Sequence, residues 1–278
     1  MSSEIIERRS DEELPGFFGK VPSHGDFVSR RLSREFVDVW DPWLAESVSQ
    51  SRGQLGDRWL DCYLTSPVWR FAISAGLCGE SAWAGVIMPS VDKVGRYYPM
   101  TLCAQLGAEH APLEALASLG GWYGMAEQLA LSCLADDFDL DTFDEQLSKL
   151  GQPVIDIVGL QPKATRPVDD GGEAKKCWRL GVSAANNPET TYLRLTYHAL
   201  DELFELHSLW WTDGSSLVQP SVLVSKGLPS TAGYSAFLDG AWSNWGWQDK
   251  GPQEVSISVV DEVALILSGD GVDPPEDT

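Results

Sequence analysis

Ser23-His24-Gly25-Asp26 sets a hydroxyl, an imidazole and a carboxylate within four residues. These are the groups of a nucleophile–base–acid relay, in which the base must reach the nucleophile and the acid must orient the base from its far side. Neighbours along a turn bounded by Pro22 and Gly25 rarely meet both conditions. The simpler expectation is a turn in which Gly25 takes a permissive backbone conformation and Asp26 caps a following helix. A partner-binding role and a catalytic one stay open beside it.

The remaining candidates are charges beside aromatics. Arg30, Arg31 and Arg34 form a basic cluster, and Arg96 sits between Gly95 and Tyr97-Tyr98-Pro99. Arginine next to tyrosine is the composition of interface hot spots. The equal alternative is an internal pair, with Arg30 or Arg96 bonded to Asp26 or Asp92. The four histidines (His24, His110, His198, His207) show no ligand spacing, and no metal site is expected. Asp169-Asp170-Gly171-Gly172 and Gly269-Asp270-Gly271 mimic metal-dependent phosphatases, but one falls in a loop and the other in a tail. No G-x-S-x-G elbow, phosphate-binding loop or G-x-G-x-x-G turn occurs. Catalytic residues and cofactors are therefore expected to be absent.

The balance of charge narrows the partners. Net charge is −21, with 11 basic and 17 acidic side chains in residues 1–135 against 9 and 24 in 136–278. Nucleic acid and anionic lipid are disfavoured by that sign. The C-terminal half could steer a basic protein partner, or the excess serves solubility alone. The five cysteines (62, 78, 103, 133, 177) form no C-x-x-C pair, and the first four lie in apolar surroundings, as in a reducing compartment. The acidic N-terminus lacks the apolar stretch of a signal peptide, and no run is long enough to span a membrane. A soluble, cytoplasmic protein without membrane insertion is expected.

The elements that must position these groups alternate. Phe17, Phe18 and Val21 predict a first strand. Ser33 predicts an N-cap, followed by an apolar helical face at Phe36, Val37, Trp40, Trp43, Leu44 and Val48. Pro42 should end that helix unless Asp41 caps a second one. A short helix over 54–64 follows, then strands around Val68–Ile73, Ala84–Met88 and 98–106. Pro112 opens a helical region to Leu134, broken at Gly120-Gly121, with a core stripe at Leu116, Tyr123, Ala126, Ala130 and Leu134. A helix over 140–150 buries Phe143 and Leu147. Beyond a loop at 159–176 come a strand near 178–183, a helix near 189–206, strands near 208–212 and 221–224, a helix near 231–239, and two final strands, VSISVV and VALIL. In Trp210-Trp211 one ring should face the core and the other the opposite side, with burial of both favoured. The segmentation is a polar tail (1–13), an N-terminal α/β region (14–158), the loop (159–176), a C-terminal α/β region on the same sheet (177–268) and an acidic, disordered tail (269–278). Interleaved strands and helices predict an α/β fold, a three-layer α/β/α sandwich around a mixed β-sheet.

Two runs are dense in aromatics, glycines and fixed charges: GFFGKVPSHGDFVSRR (16–31) and WAGVIMPSVDKVGRYYPMTL (83–102). With WDPWL (40–44), SPVWRFAISAG (66–76), LWWTDGS (209–215) and GLP (227–229) they resemble the TagF family of type VI secretion-associated proteins. The specific part of the resemblance covers residues 15–105. It implies a non-enzymatic repressor that acts after translation by binding the forkhead-associated scaffold protein of the secretion system, on a three-layer α/β/α fold. Some relatives carry a fused phosphatase domain, and this chain would be the stand-alone form. The family's motif residues map onto Lys20, His24, Gly25, Asp26, Phe27, Arg30, Asp92, Gly95, Arg96 and Tyr97. The candidates for partner contact are Lys20, His24, Asp26, Phe27, Arg30, Asp92, Arg96 and Tyr97. Two alternatives stand beside this: a hydrolase using His24 and Asp26, and a structural subunit of the secretion apparatus.

Overall fold

Strand β4 (Ala82–Met88) is buried at all seven positions, as a central strand covered on both faces must be. Its neighbours are β3 (Trp69–Ile73) and β5 (Met100–Leu106). The computed structural model describes residues 14–156 and 188–250. In it β1 (Gly16–Gly19), β2 (Val28–Arg30), β6 (His207–Thr212) and β7 (Ser221–Lys226) complete a seven-stranded sheet of order β2-β1-β5-β4-β3-β6-β7. Every pairing of these strands is antiparallel, so the described sheet is not the mixed one expected. Strands β3, β4 and β5 are neighbours both in sequence and in space. Such hairpin-connected strands must run antiparallel, because a parallel pair needs a long crossover. The expected strands at 178–183, VSISVV and VALIL, the segments 1–13, 159–176 and 269–278, both phosphatase-like segments and Cys177 lie outside the described residues.

The two faces of the sheet differ in side-chain size. Toward one face β3 sends Trp69, Phe71 and Ile73, β4 sends Trp83 and Ile87, and β6 sends Trp210. There they meet helix α1 (Arg34–Leu55), helix α2 (Trp59–Leu64) and a short helix ahead of Gly240. Trp40 of α1 is fully enclosed by Phe36, Trp43, Phe71 and Trp210, and its indole N–H donates to Thr101 Oγ1 at 3.0 Å. Truncating such a ring costs about 3–5 kcal/mol. Gly85 makes room for this layer: a Cβ there would lie 2.6 Å from the Phe71 ring and 2.5 Å from the Leu102 carbonyl oxygen. The opposite face is lined by Ala72, Ala82, Ala84, Val86 and Ala104, against which α4 (Gly120–Ser132) and α5 (Leu140–Leu150) pack. Ahead of α4 lies α3 (Pro112–Ser118), and α6 (Pro188–Phe204) packs Leu193, Tyr197 and Leu200 near Leu209. All elements named here belong to one compact unit that ends at Trp247.

Several expectations are met and several corrected. Ser33 Oγ accepts the Phe36 amide at 3.3 Å and caps α1. The helix does not stop at Pro42, which sits on its exposed side. A proline inside a helix costs about 3 kcal/mol, and the buried rings of Phe36 and Trp40 before it and of Leu44 after it hold the helix through the break. Asp41 caps nothing; its carboxylate accepts the Tyr98 hydroxyl at 2.7 Å. Phe143 and Leu147 are buried on α5, and Tyr123, Ala126 and Ala130 on α4, but Leu134 is exposed beyond the end of α4. Trp210 and Trp211 point to opposite faces and both pack, Trp211 edge-on against Tyr123. Cys62, Cys78, Cys103 and Cys133 are buried thiols, and burial pushes Cys78 and Cys133 up to about 12. No helix among the described residues is long and apolar enough to cross a membrane.

Candidate functional site

The two signature runs meet. Between β4 and β5 the chain reverses through Val91–Tyr97, where the Asp92 amide donates to the Arg96 carbonyl at 3.0 Å and Gly95 takes a left-handed conformation (φ 85°). That conformation favours glycine. Asp92 organises the reversal from within. Its Oδ1 accepts the amides of Val94 (3.0 Å) and Arg96 (2.9 Å), and its Oδ2 accepts Lys20 Nζ (2.8 Å) and Arg96 Nε (2.6 Å). Burial acts to raise the Asp92 carboxyl, but hydrogen bonds from Lys20, Arg96 and Val94 outweigh it and hold the group well below the usual carboxylate range.

Three further bonds fasten this reversal to the 20–27 segment. The Ser90 hydroxyl donates to the Lys20 carbonyl at 2.7 Å, the Lys93 amide donates to the His24 carbonyl at 2.9 Å, and Arg96 Nη2 donates to the Gly25 carbonyl. Lys20 also lies 5.0 Å from the Phe27 ring, which stacks on Phe18 and meets Tyr98 edge-on. From α2, the Tyr63 hydroxyl donates to the Ser90 carbonyl at 2.9 Å and accepts the Ser90 amide at 3.0 Å.

The expected site residues therefore divide. Lys20 and Asp92 are buried and hold the two runs together. Arg96 is exposed, Tyr97 and His24 half-buried, and Asp26 and Phe27 exposed. Arg30 stands apart on β2, 3.3 Å from the exposed Asp141 of α5. The Arg96–Asp92 pair is formed, whereas Asp26 pairs with neither arginine. Asp26 Oδ1 accepts the Phe27 amide at 2.8 Å, and the strand β2 follows rather than a helix, so the cap expected there is corrected. Gly25 has no positive φ.

Ser23 Oγ and His24 Nδ1 lie 2.8 Å apart, so these neighbours do meet, contrary to expectation. The acid does not complete a relay from Asp26. Asp139, held below its ordinary value chiefly by hydrogen bonding from Thr142, feels the His24 charge to a smaller degree. The other histidines are dispersed: His110 contacts Glu114, His198 meets Tyr197 edge-on, and His207 Nδ1 contacts the Glu205 carbonyl. No group of three or more His, Cys, Asp or Glu among the described residues could hold a metal ion.

The spacing of residues gave no sign of the concave surface beside this reversal. An open cleft of about 680 Å³ lies between α1, α2 and residues 95–98, lined by Val48, Arg52, Trp59, Leu60, Arg96 and Tyr97 among others. Arg52 lies 4.2 Å from the Trp59 ring and 5.9 Å from the Tyr97 ring. Tyr97 meets Trp59 and Tyr63 edge-on. A second cleft, of about 460 Å³, has the opposite character, lined by Asp201, Glu202 and Glu205 with His110 and His207.

The two signature runs thus meet in a buried charge knot with arginine and aromatics on its outer side. Residues 16–150 match the model of the TagF N-terminal domain, type VI secretion system-associated. The chain belongs to the TagF family and is a type VI secretion system-associated protein. A solved structure, that of PA0076 from Pseudomonas aeruginosa PAO1, is 34% identical with a TM-score of 0.69, covering 86% of this chain and 97% of that one. Comparison with curated proteins gave no match.

Proposed function

We propose that this protein is a non-enzymatic, cytoplasmic repressor of the type VI secretion system, acting after translation by binding the system's forkhead-associated scaffold protein. One observation carries the reading. The two family signatures converge on a single junction whose buried half, Lys20 and Asp92, fixes the outer half, the exposed Phe27 and Arg96 and the half-buried Tyr97. Rigid aromatic and arginine side chains at a preformed surface are what a docking face needs. The division of core residues into two clusters, one on each side of the sheet, supports a three-layer α/β/α arrangement as the scaffold beneath that face.

The test is capture of the forkhead-associated protein by the purified chain. Wild type should retain it; the double variant Phe27→Ala, Arg96→Ala should not, at unchanged circular dichroism. Failure of wild type to retain the scaffold contradicts the proposal.

The Ser23–His24 contact favours a second reading, a serine hydrolase with an exposed nucleophile. It requires labelling of the protein by a fluorophosphonate that is lost in Ser23→Ala. Absence of labelling removes it.

A further inference from the structure

The cleft beside the junction holds a positive charge in a chain whose net charge is −21. Arg30, Arg31, Arg34, Arg58, Arg70 and Arg96 each face a carboxylate. Arg52 does not, among the described residues; its guanidinium lies over Trp59 and Tyr97 instead. A guanidinium packed on a ring keeps N–H donors at its edge for a carboxylate. On the facing wall Arg96 is fixed by Asp92 and the Gly25 carbonyl, with donors to spare. Val48, Leu60, Trp59 and Tyr97 supply the apolar surface between them, and Asp57 is the one carboxylate in the lining. The cleft lies within the ~300–1,000 Å³ range of ligand sites.

We propose that this cleft binds an acidic peptide segment of the partner protein. A Glu or Asp carboxylate sits between Arg52 and Arg96, and an adjacent aromatic side chain lies against Trp59, Tyr97 and Leu60. The identity of the protein that supplies the segment rests on the repressor reading above. The charge balance selects a carboxylate over a phosphate. Lys20, Arg96 and Arg52 set three positive charges against the two negative charges of Asp92 and Asp57, so about one positive charge is open, which matches a carboxylate and falls short of the ≈ −2 of a phosphoryl group.

Fluorescence anisotropy of a labelled Glu-Glu-Phe-Glu-Glu peptide with the full chain tests the site. Wild type should bind saturably and weaken as salt is raised. Arg52→Gln should weaken binding about tenfold or more, Arg52→Lys less, because the ammonium keeps the charge but loses the fork. Arg34→Gln, on an exposed pair that does not line the cleft, should bind as wild type does. Arg52 is exposed, and melting curves of its variants should overlay that of wild type. Equal binding by Arg52→Gln, no saturable binding, or tighter binding of the matched phosphoserine peptide overturns the proposal. The scaffold arm separates the two claims. Scaffold captured equally by wild type and Arg52→Gln sinks the cleft and leaves the repressor. Peptide bound through Arg52 but no scaffold captured sinks the repressor and leaves the cleft.

Discussion

Asp92 and Arg96 are four residues apart on one reversal and bonded to each other, yet they face different worlds. Asp92 is buried, accepts four hydrogen bonds and ties the reversal to Lys20. Arg96 is exposed, and beyond its bonds to Asp92 and Gly25 its remaining surface lines a cleft. The same signature thus contains residues whose loss dismantles a surface and residues whose loss only alters it. Capture experiments mean nothing unless stability is read beside them. Variants on the two sides should rank in opposite order for stability lost and for specificity of the binding defect.

The largest effect belongs to Asp92→Ala. It removes one acceptor from two backbone amides, a guanidinium and a buried ammonium, so it should give the greatest fall in urea midpoint of the set, with scaffold capture lost as a consequence. The pH dependence has a defined sign. Asp92 binds its proton less tightly in the folded chain than in the unfolded one, whose value is near 3.8. Its contribution is therefore complete above the ordinary aspartate range and drains away as pH falls below about 5. Urea midpoints measured from pH 7 downward should fall more steeply in wild type than in Asp92→Asn.

Next in size is Tyr63→Phe. It leaves the Ser90 amide buried without its acceptor, an expected loss of about 1–3 kcal/mol by equilibrium unfolding. On the outer side, Phe27→Ala removes a partly exposed ring stacked on Phe18 and should cost about 1 kcal/mol in the same assay. The smallest stability change belongs to Arg96→Ala, about 1 kcal/mol or less, because the guanidinium is solvent-exposed and Asp92 keeps Lys20 and two backbone amides as partners. That variant should nevertheless lose scaffold capture. A large stability loss in Arg96→Ala would merge the two sides and break the distinction.

The sequence exposed much of this and concealed specific parts of it. Long patterned runs were legible: the buried face of α5, the unbroken apolar β4, and the opposed Trp210 and Trp211. Strand β2 was not, because three residues with one buried side chain carry no period, and only pairing with β1 makes them a strand. Pro42 misled because a local rule was overridden by packing on either side of it. The interleaving of elements pointed to a mixed sheet, whereas the short β3–β4–β5 connections made those pairs antiparallel. At the site, most of the motif residues named from the sequence meet at one junction while Arg30 stands apart, and which were buried could not be read: Lys20 meets Asp92 across 72 positions. Arg52 left no signal at all, since its partners Trp59 and Tyr97 gather around it only after α1, α2 and the reversal have packed.

The most direct test is export through the type VI apparatus in cells lacking this gene, restored with wild type or with Phe27→Ala, Arg96→Ala at matched protein levels. A repressor that docks through the outer side of the reversal predicts export above the parental level on deletion, return to that level with wild type, and no return with the variant. Export unchanged or lowered by the deletion, or fully silenced by the variant, contradicts it.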